Sequence, residues 1–418
     1  MRLLLKYLIL VSLIVNSVFL TGCWDALPVE NRIFCIAIGV DWLPEEPHYE
    51  ITFLNPLVEE TRSEQSRART IRAHSISEAI AIFQHTSSHY MSFGILSVLV
   101  IGEEASKQKQ SFTIDDLFSF PDLRPNAYII VAKGNAKALL SVMPPENQRM
   151  GLYLRDLLDR ANNQRDSPPP TLHEYVIRMM TPGMDALTTM VGPIGSLDPR
   201  ATGQKTGGDG GGEVDQSEGG GSQGGQSTPE KDVEIMGAAV WQGDIVVGQL
   251  TLPETQYLSL AQGTAKGMLL QMLFAPDERL FPQANRMVTL IEQETASWDL
   301  TVMEGVPHYR LTLKVRSSPQ NYEGTSDLSK SENSELLEQI MALNIAQNIL
   351  ASLQKITAMG SDPLCLGQQL RLKYPDLWDP QNWGENIKNS QFKVECEVTI
   401  RNIGLQILRI EPVNKKPN

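Results

Sequence analysis

At 418 residues the chain is long enough for two or three domains of roughly 100–200 residues each, with a sizeable core. Aliphatic and aromatic residues at 41% and charged residues at 20% place it among ordinary globular proteins, away from collagen, coiled-coil, multi-span membrane and disordered chains. With 36 Lys+Arg against 49 Asp+Glu the net charge is −13, which is opposite to the basic face that a nucleic-acid binder presents.

Residues 1–22 read as a lipoprotein signal peptide. Arg2 and Lys6 form a positive start, and the apolar run from Tyr7 to Leu20 is 14 residues long. As a helix that run would span about 21 Å, short of the roughly 30 Å hydrocarbon core, so it fits a signal segment better than a permanent span. It ends in Leu20-Thr21-Gly22-Cys23, which resembles the bacterial lipobox. There the Cys23 thiol takes a diacylglyceryl group, the chain is cut before it, and the new amino terminus is open to acylation such as palmitate. Two or three chains, at about 0.8 kcal/mol per buried CH₂, anchor a protein stably. The plainer alternative is that Cys23 merely follows a cleaved signal or an uncleaved N-terminal helix. Removing Arg2 and Lys6 leaves 34 − 49 = −15 on the mature chain.

The body begins with RIFCIAIGVD, residues 32–41, a continuous apolar run expected of a buried strand. Residues 49–57 alternate and read as its partner. Residues 75–85 have helical spacing at Ile76, Ala79, Ile80 and Phe83. Buried strands are expected at 94–101 and 127–132, and helices at 151–161 and 172–180. The first folded unit is thus 23–198, of α/β type. Between Gly203 and Gly225 lie 11 glycines in 23 residues, so 199–231 is read as a flexible linker.

From 232 to 415 an α+β region is expected, with possible subdomains at about 232–300 and 301–415. Residues 235–250 predict a hairpin turning at Gly243-Asp244. Strands follow at 267–274 and 309–315. The longest helical pattern covers 335–357, with a stripe of Leu336, Ile340, Leu343, Ile345, Ile349, Leu350 and Leu353, stopped by Gly360. Residues 391–401 alternate strictly, and predict an antiparallel strand with Phe392, Val394, Cys396, Val398 and Ile400 on one face. The fold class is α+β, a multi-domain exported lipoprotein of mixed sheets packed with helices.

Enzyme signals are weak. No nucleophile elbow, H-E-x-x-H or kinase set can be read. His85 and His89 have zinc-ligand spacing, but Thr86 stands where a zinc-protease helix carries its glutamate and no third ligand is in view. The four cysteines at 23, 35, 365 and 396 form no C-x-x-C pair. No metal, cofactor or catalytic residue is therefore expected. The pairs Glu59-Glu60, Glu103-Glu104 and Asp115-Asp116 read as solvated or first-turn charges. Cys365 and Cys396 could pair if close, but Cys396 at an inward strand position is equally consistent with a buried thiol. Trp378 and Trp383 form the densest aromatic patch: either a partner contact or a cover for the core at a helix end.

These residues resemble a known family. Gly22-Cys23-Trp24-Asp25 followed by a strand ending Gly39-Val40-Asp41 is similar to the start of the C-subunit lipoproteins of spore germinant receptors, the Ger(x)C family. Gly237-Ala238-Ala239-Val240-Trp241 with Gly248-Gln249-Leu250 and Glu254 resembles its G-x-A-V-F hairpin and following helix. Asp362 to Gly367, then Tyr374-Pro375, Trp378, Arg401 and Gly404, resembles its D-x-x-G-x-G and Y-P-x-x-W block. Departures are Pro28-Val29, Pro363 and Cys365, and a longer Gly-rich stretch. The resemblance implies a three-domain α+β fold and a non-enzymatic subunit required for nutrient germination. It also implies a lipid anchor at Cys23 on the outer face of the cell or spore inner membrane, and two integral-membrane partners of A and B type. Candidate partner contacts are Trp24, Trp378 and Trp383. The competing readings are a solute-binding lipoprotein of a membrane transporter, disfavoured by the β-rich second half, and an anchored surface hydrolase.

Overall fold

A computed structural model describes residues 2–19, 28–56, 67–142, 150–193, 233–275, 285–322 and 330–401, with single residues at 144, 280 and 328. The N-terminal apolar run forms helix α1 (Arg2–Phe19). No helix among the described residues is long and apolar enough to cross a membrane. The Gly-rich stretch 199–231 lies outside the described residues, as do Cys23, Trp24 and Glu59-Glu60.

The first half alternates strands and helices. In chain order these are β1 (Arg32–Phe34), β2 (Ala37–Trp42), β3 (Tyr49–Asn55), β4 (Arg67–Ala73), α2 (Ile76–His85), β5 (Tyr90–Ser92) and β6 (Val98–Gly102). They continue with α3 (Glu103–Ser106), α4 (Ser111–Phe118), β7 (Tyr128–Ala132), α5 (Ala136–Leu140), α6 (Met150–Gln164), α7 (Leu172–Met180) and β8 (Leu187–Pro193). Ser75 caps α2 by accepting from the Glu78 N–H, and Thr171 and Glu174 form a reciprocal capping box on α7. The predicted strand at 32–41 is two strands. Cys35 and Ile36 divide it, β1 pairing with β5 while β2 enters the main sheet.

That main sheet has the order β10-β9-β8-β7-β6-β2-β3-β4, where β9 is Val233–Gln242 and β10 is Ile245–Thr251. Its centre, β2, β6, β7 and β8, is parallel, and both margins are antiparallel. Continuous apolar runs are what a sheet covered on both faces requires. Ile38, Leu99, Ile129 and Val131 pack with α2, α4 and α7 on one face; Ala37, Val98, Val100 and Ile130 pack with α5 and α6 on the other.

The sheet also crosses the Gly-rich stretch. β9 follows that stretch in sequence yet pairs with β8, Thr188 opposite Ala239, which satisfies a strand edge that would otherwise be left open. β9 and β10, which follow the residues read as a linker, thus lie in the same sheet as β2 to β4 and β6 to β8. A division at 300 would cut a hairpin in which Leu300 faces Tyr309.

The second half contains α8 (Leu252–Gln262), β11 (Leu269–Phe274), β12 (Asn285–Met303), β13 (Val306–Pro319), α9 (Ser331–Ala358), α10 (Leu366–Lys373), α11 (Trp383–Lys388) and β14 (Gln391–Ile400). Its sheet has the order β11-β12-β13-β14. α8 and α9 cover one face, where Leu311, Leu313 and Val315 meet Leu337, Met341, Ile345, Ile349, Leu353 and Ile356. Each of those α9 side chains contributes about 1.5–3 kcal/mol by burial. Two expectations are corrected. The buried stripe of α9 begins on Leu337, not Leu336, and Leu343 is 60% exposed. β14 runs parallel to β13, with Leu313 opposite Cys396, because α9 to α11 intervene as the crossover that parallel pairing needs. Its predicted inward face is correct: Val398 and Ile400 are buried, and Phe392, Val394 and Cys396 pack half-buried on the same core.

Candidate functional site: the joint between the two halves

The resemblance motifs meet where the sheets abut. α9 ends at Gly360, whose φ of +77° is the left-handed stop that glycine supplies. Ser361 Oγ donates to the Trp241 carbonyl at 2.5 Å, and Gln242 Nε2 donates to the Gly360 carbonyl at 3.2 Å, fixing the end of α9 against β9. Asp362 follows, 1% exposed. Its carboxylate accepts from the Leu366 N–H at 2.9 Å, the Gly367 N–H at 2.7 Å and Trp383 Nε1 at 3.1 Å, thereby capping α10 and holding α11.

Asp185, in the segment between α7 and β8, faces it from the first half. The Asp185 carboxylate accepts from the Gly243 N–H at 2.8 Å, in the β9–β10 turn, and from the Asp362 N–H at 2.7 Å. Arg178 closes the arrangement: its Nη1 donates to the carbonyls of Asp185 at 3.1 Å and Pro363 at 3.0 Å, and lies 3.6 Å from Cys365 Sγ. Two glycines let the chains touch. A Cβ on Gly367 would stand 2.8 Å from the Gly183 Cα and 2.8 Å from the Trp383 ring.

Burial, reinforced by Asp185, pushes the Asp362 carboxyl up to about 7 against the N–H donors that hold it down. Burial likewise raises Asp185 against its two backbone donors and Arg178. Both carboxylates are occupied by donors of their own chain. The joint's chemistry is therefore to hold α7, the β9–β10 turn, α9, α10 and α11 in one register.

Other motif residues are also joints. Asp41, in Gly39-Val40-Asp41, accepts from the Ala136 N–H at 2.7 Å and the Lys137 N–H at 2.8 Å at the start of α5. A Cβ on Gly39 would lie 2.9 Å from Leu140 Cδ1, so that strand must be bare there for α5 to approach. Glu254 forms a capping box with Thr251 and accepts from Lys355 Nζ at 2.7 Å, tying α8 to α9.

The aromatic candidates separate. Trp383 is 4% exposed and spends its indole N–H on Asp362, so its side chain is withdrawn from any partner. Trp378 is half-buried beside it, with its ring centroid 5.3 Å from that of Trp383. His85 and His89 are exposed, the latter bonded to Ser88 Oγ, and no group of three His, Cys, Asp or Glu suited to a metal occurs among the described residues. Cys35, Cys365 and Cys396 are free thiols. Glu103 is not merely solvated, since it accepts from Lys133 Nζ at 2.7 Å and the Gly134 N–H at 3.0 Å, and Asp116 accepts from the Ser77 N–H at 2.8 Å. Asp185 and Arg178 escape sequence reading. The only signal near them is Pro182-Gly183, a turn signature that says nothing of a partner 177 residues away.

Comparison with known proteins gives the class. Residues 25–193 match the Spore germination protein N-terminal domain, and residues 236–404 match the domain described as Spore germination B3/GerAC like, C-terminal. The chain belongs to the Ger(x)C family of spore germination proteins. It is similar to Spore germination protein GerQC of Bacillus cereus, at 18% identity over 395 residues, covering 94% of this chain and 98% of that protein. The crystal structure of the GerBC protein is matched at 18% identity with a TM-score of 0.49, covering 88% of this chain and 98% of that one.

Proposed function

We propose that the protein is the lipid-anchored, non-catalytic C subunit of a nutrient-germinant receptor, needed for spores to germinate in response to small nutrients. The observation that carries this reading is the match of both halves, in order, to spore germination domains, behind a Leu-Thr-Gly-Cys sequence ending at Cys23. The subunit is held at the outer face of the membrane by acyl chains on Cys23 and works beside two integral-membrane subunits, of A and B type. The −15 of the mature chain keeps the body off an anionic lipid surface. Trp24, next to the anchor, and Trp378 are the aromatic contacts for those partners. The joint around Asp362 serves this role by presenting both halves as one unit.

Mass spectrometry of the N-terminal peptide tests the anchor. The mature peptide begins at Cys23 and carries diacylglycerol mass, whereas Cys23→Ala leaves the chain uncut. An unmodified Cys23 on a membrane-bound protein would sink the reading.

A further inference from the structure

Above the joint lies a cleft of about 280 Å³ between the β8–β9 face and α8, closed at one side by the 165–170 loop and α7. It is close to the lower end of the roughly 300–1,000 Å³ range of small-molecule sites, and it sits where two packed units meet, a common place for such sites.

The lining has a definite polarity. Deep in the cleft the hydroxyls spend their protons on backbone carbonyls. Thr255 Oγ1 donates to the Thr251 carbonyl at 3.0 Å, Ser259 Oγ to the Thr255 carbonyl at 3.2 Å, and Thr189 Oγ1 to the Ser167 carbonyl at 2.8 Å. A hydroxyl that donates in this way still offers lone pairs, so the wall presents acceptors. The rim presents cations. Arg165 and Arg178 border the cleft. Arg165 makes one long bond, from Nη1 to Asn162 Oδ1 at 3.4 Å, and the Arg178 contacts within the joint all use Nη1, leaving Nη2 and Nε for another acceptor. The carboxylate in the lining, Glu174, already accepts from the Thr171 N–H at 2.8 Å and Thr171 Oγ1 at 3.1 Å. Within the lining two guanidinium groups face one carboxylate that already has partners, with Asp185 behind Arg178 in the joint, so the rim is cationic on a chain whose net charge is −13.

We propose that this cleft binds a small amino or hydroxy carboxylic acid, its carboxylate on Arg165 and Arg178 and its N–H or O–H donors on the Thr189, Thr255 and Ser259 hydroxyls. Leu187 and Leu258 supply an apolar strip that suits a short side chain. The proposal goes beyond the receptor-subunit reading, which requires no ligand in this chain, so either can fail without the other.

Isothermal titration of the full chain in detergent with L-alanine, L-lactate and D-glucose tests it. Saturable one-to-one binding of L-alanine or L-lactate is expected, without binding of glucose. Arg165 is exposed, so Arg165→Gln should melt as the wild type does while losing about tenfold in affinity, the share of one charge-assisted bond. If R165Q melts lower, Thr264→Trp at the exposed rim replaces it and should abolish binding. The proposal is overturned if neither acid binds up to about 10 mM, a concentration that would detect even very weak sites. It is equally overturned if glucose binds as well as the acids, or if a stable rim variant binds like the wild type.

Discussion

Asp185 and Asp362 exchange backbone contacts across the joint: the Asp362 N–H donates to the Asp185 carboxylate at 2.7 Å, and the Asp185 N–H returns a bond to the Asp362 carbonyl at 3.0 Å. The residues are 177 positions apart, one in the first half and one directly after the longest helix of the second. Motion of one sheet against the other strains this pair, together with the Arg178 bonds beside it.

The pair predicts a pH dependence. Folded, Asp362 keeps its proton up to about pH 7, while its ordinary value is 3.8. Between those values the folded chain binds more protons than the unfolded one. The contribution of this group to stability is complete below about pH 4 and is lost as pH rises through about 7. Asp185, raised mainly by burial, acts in the same direction. Asn at 362 has no such proton, so the melting temperature of Asp362→Asn, taken relative to the wild type at the same pH, should rise steadily from pH 4 to 7. A difference that stays flat across that range would show that Asp362 is ionised throughout.

Gly367→Ala should loosen the joint sterically. The added Cβ meets the Gly183 backbone and the Trp383 ring, neither of which can swing aside as a flexible chain end would. Overpacking of this kind costs about 1–3 kcal/mol. Gly305→Ala is the control: its φ of +80° brings backbone strain, but nothing lies within 4 Å of the new Cβ. Denaturant midpoints should therefore fall further for G367A than for G305A, and equal shifts would contradict the close contact.

Much of this architecture is readable in the sequence, and the failures have physical causes. The β9–β10 hairpin, α2 with Ser75 and α9 with Gly360 declare themselves through caps, turn residues and periodicity. β12 does not, because its register shifts between Ile291 and Gln293. Met287, Thr289 and Ile291 face inward before the shift, and Trp298 and Leu300 after it, so the apolar phase changes from odd to even positions and no single alternation survives. β4, RARTIRA, is an edge strand whose arginines conceal its pattern. The direction of β14 is not legible, because alternation reports which face is buried and says nothing of the neighbour's direction. At the joint, the motif around Asp362 is visible, but its partners Asp185 and Arg178 are supplied by tertiary contact alone.

The tie between α8 and α9 should divide into measurable parts. Thr251→Ala removes a cap worth about 1 kcal/mol. Lys355→Met removes only the ion pair, 2.7 Å long but partly exposed, and should cost no more than about 1 kcal/mol. Glu254→Ala leaves the Thr251 cap on the backbone N–H of residue 254 but removes the ion pair together with the bond from the Thr251 N–H, so it should cost more than Lys355→Met, as read from urea midpoints. A Glu254→Ala loss no larger than that of Lys355→Met would mean that the bond from the Thr251 N–H to the Glu254 carboxylate contributes nothing.

The central claim, a lipid-anchored receptor subunit, is tested most directly by nutrient-triggered germination of spores lacking this chain and complemented with the wild type or with Cys23→Ala. The account predicts that the wild type restores germination, that Cys23→Ala does not, and that vegetative growth is the same in both. Normal germination of the spores lacking the chain, or full rescue by Cys23→Ala, would contradict it.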